Sequence, residues 1–257
     1  MLERTFIHVQ KVGPKTEQRL WARGIHTWQD YMERGKGLLS PGVHCLMEQT
    51  LEASLLHRDD VSFFSERLSS GEMWRVFDAF REKAVYLDIE TTGYQSDGAE
   101  ITVIGLYDGK TIQTFVNGIN LEDFETAIAC YDLVITFNGA SFDLPFIRSC
   151  FPGITLPGGH IDLRFVLKRL GLSGGLKRIE KDLGIARERE VEGIDGFEAI
   201  RLWYTYQRGS KKALRTLIEY NNADIVNLQP LMEMAYEKLK EKVCLSFCRN
   251  WGTFKNP

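Results

Sequence analysis

The chain has 257 residues, of which 44% are hydrophobic and 11% aromatic, enough apolar material for a sizeable core and too much for global disorder. Its 32 Lys and Arg against 35 Asp and Glu give a net charge of −3, so overall charge neither demands nor excludes a polyanionic partner. Five scattered cysteines without a Cys-x-x-Cys pair point to neither a zinc site nor a disulfide framework. No stretch is long and apolar enough to span a bilayer, so the expectation is a reduced, cytoplasmic protein with no membrane partner.

Residues 1–36 read as two short helices around a Val12-Gly13-Pro14-Lys15-Thr16 turn, with Thr16 starting the second helix and Leu20 and Trp21 turned inward. Backbone N–H groups at such a turn can hold a phosphate, and the segment carries seven basic residues against four acidic. The pattern resembles the hairpin of a helix-hairpin-helix module, which grips a nucleic-acid backbone. Gly13 would then allow close backbone approach and Lys15 would supply charge. A plain helical cap fits the same residues. From 43 to 82 the spacing is helical, with stripes Leu46, Leu51, Leu55, Leu56, then Val61, Phe64, Leu68, then Met73, Phe77, Phe80. These stripes serve packing. The expected division is a helical extension over 1–80 and a second domain over 81–257.

That domain opens with Ala84–Thr91, an apolar, β-branched run that reads as a buried strand. Asp88 and Glu90, two residues apart, point to one face of it. Two like charges there repel and lose solvation unless a hard divalent cation lies between them, although a bare Asp-x-Glu pair more often faces solvent. A turn over 95–99 leads to a strand over 101–107, and Asp108-Gly109 predicts a two-residue hairpin into 111–116. Asn120 caps a helix carrying Leu121, Phe124 and Ile128. Leu133–Phe137 is a fourth strand, reached by a helical crossover and so parallel to its neighbour. His160–Asp162 predicts a short fifth strand, and the rest is helical. The fourth strand ends in Asn138-Gly139-Ala140-Ser141-Phe142-Asp143, which sets an acid at a helix entrance. On the last helix Tyr220 and Asp224 are i, i+4 and share a face.

Asp-x-Glu on a first strand, Asn-x-x-x-Phe-Asp after a fourth and Tyr-x-x-x-Asp on a late helix resemble the three motifs of the DEDD exonucleases, in order and over about residues 81–240. The tyrosine resembles the DEDDy branch, similar to the proofreading domain of family B DNA polymerases. The Leu176–Glu180 and Tyr220–Asn222 segments look closest to the YprB-like ribonuclease H-like nucleases. The resemblance implies an α/β fold, a ribonuclease H-like mixed five-stranded sheet flanked by helices with its first strand central. It implies that Asp88, Glu90, Asp143 and Asp224 hold two divalent cations, Mg²⁺ or Mn²⁺, about 4 Å apart. Tyr220 would orient the attacking water, a phenol being a poor base. The implied activity is 3′-to-5′ exonuclease action on single-stranded DNA or RNA ends, with adjacent duplex as a further partner to be tested.

Asn138 either contacts the terminal nucleotide or caps the strand end. Phe142 and Tyr94 either stack on bases or belong to the core, and Asp162 reads as a helix cap more than a neighbour of a metal. Lys177, Arg178, Lys181, Arg187 and Arg189 either track a phosphate backbone or form a solvated face with their acidic neighbours. His160 has no second histidine suitably spaced for a metal. Two rivals stand beside the exonuclease: a nucleic-acid-binding module that keeps the fold for structure, and an endonuclease using the same cations. Oligomeric state and the choice between DNA and RNA are open at this level.

Overall fold

The computed structural model describes residues 1–93, 98–188 and 191–251. It divides into two compact units: Met1–Arg81 with the described residues from Met234 onward, and Glu82–Glu233.

The first unit is helical, with α1 (Pro14–Ala22), α2 (Trp28–Arg34), α3 (Pro41–Leu56), α4 (Val61–Ser65) and α5 (Phe77–Phe80). The segment before the Gly13-Pro14 turn departs from the expected helix. After a 3₁₀ turn at Leu2–Arg4 it runs through tight turns, Val9 N–H to Phe6 O at 3.1 Å and Val12 N–H to Val9 O at 3.0 Å. Those turns bring Phe6, Val9 and Val12 into the core at a spacing of three. Helix α1 starts at Pro14, not Thr16, because a first-turn proline gives up no helical hydrogen bond. In α3 the buried face is Met47, Leu51 and Ser54, while Leu55 and Leu56 are exposed. Ser54 is admitted because its hydroxyl bonds Thr50 O at 2.7 Å and the buried His8 ring at 3.0 Å. Arg75 and Glu17, 2% and 1% exposed, pair across this core at 3.0 Å.

The second unit is built on β1 (Ala84–Thr91), β2 (Ile101–Tyr107), β3 (Ile112–Val116), β4 (Leu133–Thr136) and β5 (Gly159–Asp162), in the order β3-β2-β1-β4-β5. β1 runs antiparallel to β2 and parallel to β4, which is parallel to β5. β1 is therefore central in a mixed five-stranded sheet, the ribonuclease H-like arrangement that the motifs imply. Two local expectations are corrected. The β2–β3 ladder closes at Tyr107↔Ile112, so the connection has four residues, held by Asp108 Oδ1 accepting from the N–H groups of Lys110 and Thr111. Asn120 stands at the N-cap of a 3₁₀ turn, Leu121–Asp123, but its side chain makes no cap bond: it bonds Val116 N–H and Thr114 O and ties off β3.

Helices α6 (Phe124–Ile128), α7 (Asp143–Cys150), α8 (Leu163–Lys168), α9 (Leu176–Leu183), α10 (Gly196–Gln207) and α11 (Lys211–Trp251) complete the chain. Alternation along β1 sorts its side chains. Val85, Leu87 and Ile89 pack with Phe124, Ile128, Leu144, Phe146 and Ile147 from α6 and α7. On β2 and β3, Val103 and Val116 pack with Trp203 of α10 and with Leu217 and Tyr220 of α11. No helix among the described residues is long and apolar enough to cross a membrane.

Candidate active site

Asp88 and Glu90 leave β1 on one face, opposite Gly105 and Val103 of β2. Helix α11 brings up Asp224, and carboxylate oxygens of Asp88, Glu90 and Asp224 all lie within 4.8 Å of one another. Asp143, the first residue of α7, stands beside this trio and outside that spacing. Its Oδ1 accepts the N–H of Ile89, between the two β1 acids, at 3.2 Å. Glu90, Asp143 and Asp224 are buried.

The electrostatics follow from that crowding. Burial raises the pKa of Asp88 well above the carboxylate range, and the charges of Asp224, Asp143 and Glu90 raise it further. Glu90 is pushed up by burial and then by Asp224, with Lys177 opposing. Asp143 is raised to about 7, mainly by burial. Burial also raises Asp224, against the pull of Arg187. An all-oxygen donor set that repels itself fits hard divalent cations.

The position of Asp88 is fixed by Asn221, whose Nδ2 donates to Asp88 Oδ2 at 3.0 Å and to its backbone O at 3.3 Å. Gly105 makes this contact possible, since a Cβ there would stand 2.2 Å from Asn221 Oδ1. Tyr220 shares a face of α11 with Asp224 and is buried. Burial raises its pKa, with Asp224 and Glu90 adding to the shift, so the phenol keeps its proton. Lys177 Nζ donates to Tyr220 OH at 2.8 Å and also to Ile194 O. Burial lowers the pKa of Lys177, although Asp224 draws it upward. Lys177, expected along a phosphate track, is thus engaged with the tyrosine.

Asn138 takes a left-handed conformation (φ +69°) just beyond β4, a backbone state asparagine tolerates. Its Oδ1 accepts from Arg164. Asp162 is a helix cap and more: it accepts from Arg164 N–H at 3.0 Å, Asn138 N–H at 2.8 Å and Ala140 N–H at 3.1 Å, and so clamps the turn. His160 bonds Thr136 Oγ1 at 2.9 Å. Phe142 is partly buried with its ring against Phe146. Gly13 and Lys15 lie exposed at the start of α1, in the first unit. Tyr94, Arg189 and the turn residues 95–97 lie outside the described residues.

Sequence reasoning missed Asn221, Glu180 and the engagement of Arg187. Arg187 and Glu180 form a buried ion pair at 2.7 Å, and Arg187 also reaches Asp224. The one available signal was Glu180 among the buried-spaced positions of α9, beside Ile179.

A helix-flanked mixed sheet with acids converging on its central strand defines a class. The profile of the RNase_H superfamily matches residues 85–236, and the chain belongs to that superfamily. No curated protein matches the chain. Among solved structures, it is similar to the family B DNA polymerase of Pyrobaculum calidifontis, at 16% identity and a TM-score of 0.48, over 59% of this chain and 24% of that one. The chain thus spans about a quarter of that polymerase. NrnC of Brucella melitensis with bound Mg²⁺ aligns at 20% identity and a TM-score of 0.45, over 66% and 83% of the two chains. Escherichia coli RNase D, an exoribonuclease involved in structured RNA processing, aligns at 17% and 0.44, over 69% and 48%.

Proposed function

We propose that the protein is a metal-dependent 3′-to-5′ exonuclease of the DEDDy type, akin to the YprB-like nucleases, acting on single-stranded ends. The reading rests on one observation: within an RNase_H superfamily chain, Asp88, Glu90 and Asp224 bring carboxylate oxygens within 4.8 Å at the central strand. Asp143 on Ile89 N–H and Tyr220 one helical turn from Asp224 complete the set. Bound Mg²⁺ or Mn²⁺ would supply Lewis acidity and positive charge for phosphodiester hydrolysis.

This chain's own residues then divide the work. Asp88, Glu90, Asp143 and Asp224 would hold the cations, and Asn221 fixes the Asp88 carboxylate. Tyr220 acts as a donor, since its raised pKa keeps the proton on oxygen while Lys177 occupies an acceptor lone pair. The hydroxyl can therefore orient a water and cannot deprotonate it. In the overall hydrolysis, water adds across the P–O3′ bond. Its hydroxyl goes to phosphorus and its proton to the leaving 3′ oxygen, releasing a nucleoside 5′-monophosphate. The helical segment over 1–36 would add grip on adjacent duplex backbone.

End-labelled single-stranded DNA and RNA, incubated with Mn²⁺, Mg²⁺ or chelator, test the proposal. A metal-dependent ladder from the 3′ end supports it. Mid-chain cuts would convert it to an endonuclease, and retention without cleavage to a binding module.

A further inference from the structure

Arg187 carries an unused donor beside the acids. Its side chain is 7% exposed, and its Nε and Nη2 donate to the two oxygens of Glu180 at 2.7 and 2.8 Å. Glu180 is itself 2% exposed, and its Oε1 takes a further bond from Asn227 Nδ2 at 2.9 Å. The guanidinium plane is therefore fixed. Nη2 spends its second N–H on Asp224 Oδ1. Nη1 is buried and has no partner among the described residues.

A guanidinium holds five N–H bonds in one rigid fork. With Nε and one Nη2 hydrogen committed to Glu180, the end-on pair consists of the other Nη2 hydrogen and one on Nη1, running parallel. Asp224 accepts the first. The second therefore runs parallel to it on the Asp224 side, with the Tyr220 ring centroid 5.9 Å from the guanidinium carbon and no hydrogen-bond acceptor among the described residues. A buried donor on a charged group is expensive to leave unmade, and this one belongs to a guanidinium bonded to Asp224, one of the three clustered acids. The planar fork suits phosphate oxygens, and its tether to Glu180 holds it in one orientation.

We infer that Arg187 is a catalytic residue whose Nη1 donates to a non-bridging oxygen of the phosphodiester being cut, with Glu180 and Asn227 as positioning residues. This rests on the exonuclease reading and adds a phosphate contact that the metal-binding acids cannot make.

The test is calorimetric, on the full chain in Mn²⁺, with adenosine and deoxyadenosine 5′-monophosphates as probes and the two nucleosides as controls. For Arg187→Gln, nucleotide affinity falls about 10- to 100-fold, the worth of one bond to a charged acceptor. Nucleoside binding stays unchanged. Mn²⁺ affinity, measured without nucleotide, holds or rises because a competing cation has left Asp224. Should Arg187→Gln fail to fold, the neutral pair Glu180→Gln with Arg187→Gln is measured instead and carries the same expectation. Unchanged nucleotide affinity, an equal loss for the nucleosides, or a parallel loss of Mn²⁺ affinity each overturns the assignment while leaving the nuclease reading intact. A wild-type chain that binds neither Mn²⁺ nor nucleotide overturns both.

Discussion

In the helical unit, Glu17 is almost fully buried and wholly paired: its carboxylate accepts Phe6 N–H at 2.7 Å and both terminal nitrogens of Arg75 at 3.0 and 3.1 Å. Arg75 in turn donates to Glu72 at 2.7 Å and to Thr5 at 3.3 Å. In the sheet unit, Asp88, Glu90, Asp143 and Asp224 crowd together with fewer cations than acids, and burial and mutual repulsion raise their pKa values. Burial of charge is common to both. What differs is whether the chain itself completes the partners. A closed network such as that around Glu17 holds a fold together, and one left short of positive charge is built to receive something.

The contrast breaks most visibly by deletion. Asp88→Ala and Asp143→Ala are expected to lower cleavage on the order of 10²- to 10³-fold or more, as for loss of a preorganised charge-stabilising group. Their thermal stability in chelator should hold or rise as repulsion falls. Rate assays beside melting curves check both halves, and full activity in either variant removes that residue from the site. Glu17→Ala takes the opposite course, losing about 3–5 kcal/mol of stability by urea unfolding because Arg75 is left charged, buried and short of its partner.

Acidity sharpens the same comparison, with opposite signs in the two units. Asp143 titrates near 7 in the folded chain against about 4 when unfolded. Between those values the folded state holds a proton that the unfolded chain has released, so stability in chelator falls as pH rises through the window. His8 is lowered to about 4 by burial, then by the charges of Arg67 and Arg75. Between about 6.5 and 4 the unfolded chain binds the extra proton, so this contribution falls as pH drops. Melting curves from pH 4.5 to 7.5 should show Asp143→Asn shifting the slope upward and His8→Gln shifting it downward.

Smaller effects follow. Tyr220→Phe should slow turnover about 10- to 100-fold with Mn²⁺ affinity preserved, because only one oriented hydrogen bond is lost. A loss of metal affinity matching that of Asp224→Ala would make Tyr220 a support for the site. Smallest is Lys15→Ala, expected to reduce the slope of log affinity against log salt by about 0.9 on substrates with duplex next to the end. An unchanged slope would leave the Gly13–Thr16 turn as a helical cap.

Much of this was legible in the chain. The period-two run of β1, the crossover to β4 and the i, i+4 spacing of Tyr220 and Asp224 are local signals, and local signals yielded the sheet and the acid candidates. Pairings distant in sequence were not legible. Nothing near Arg187 announces that it spans to Asp224, and nothing near Glu17 announces Arg75, 58 residues away. Leu55 and Leu56 of α3 misled for the related reason that a stripe records amphipathic spacing and not which face a neighbour covers. Met47 and Ser54 won the buried side, Ser54 because His8 and Thr50 satisfy its hydroxyl.

The close approach of β2 and α11 ties two positions into one heritable unit. Any side chain at 105 would occupy the space that holds the Asn221 amide, so neither residue is free to drift alone. A lineage that replaced Gly105 would first have to shorten residue 221, surrendering the grip on Asp88. In related sequences, glycine at 105 and asparagine at 221 are therefore expected to persist together or to vanish together. Their joint loss would mark a descendant that has given up the reaction while keeping the sheet.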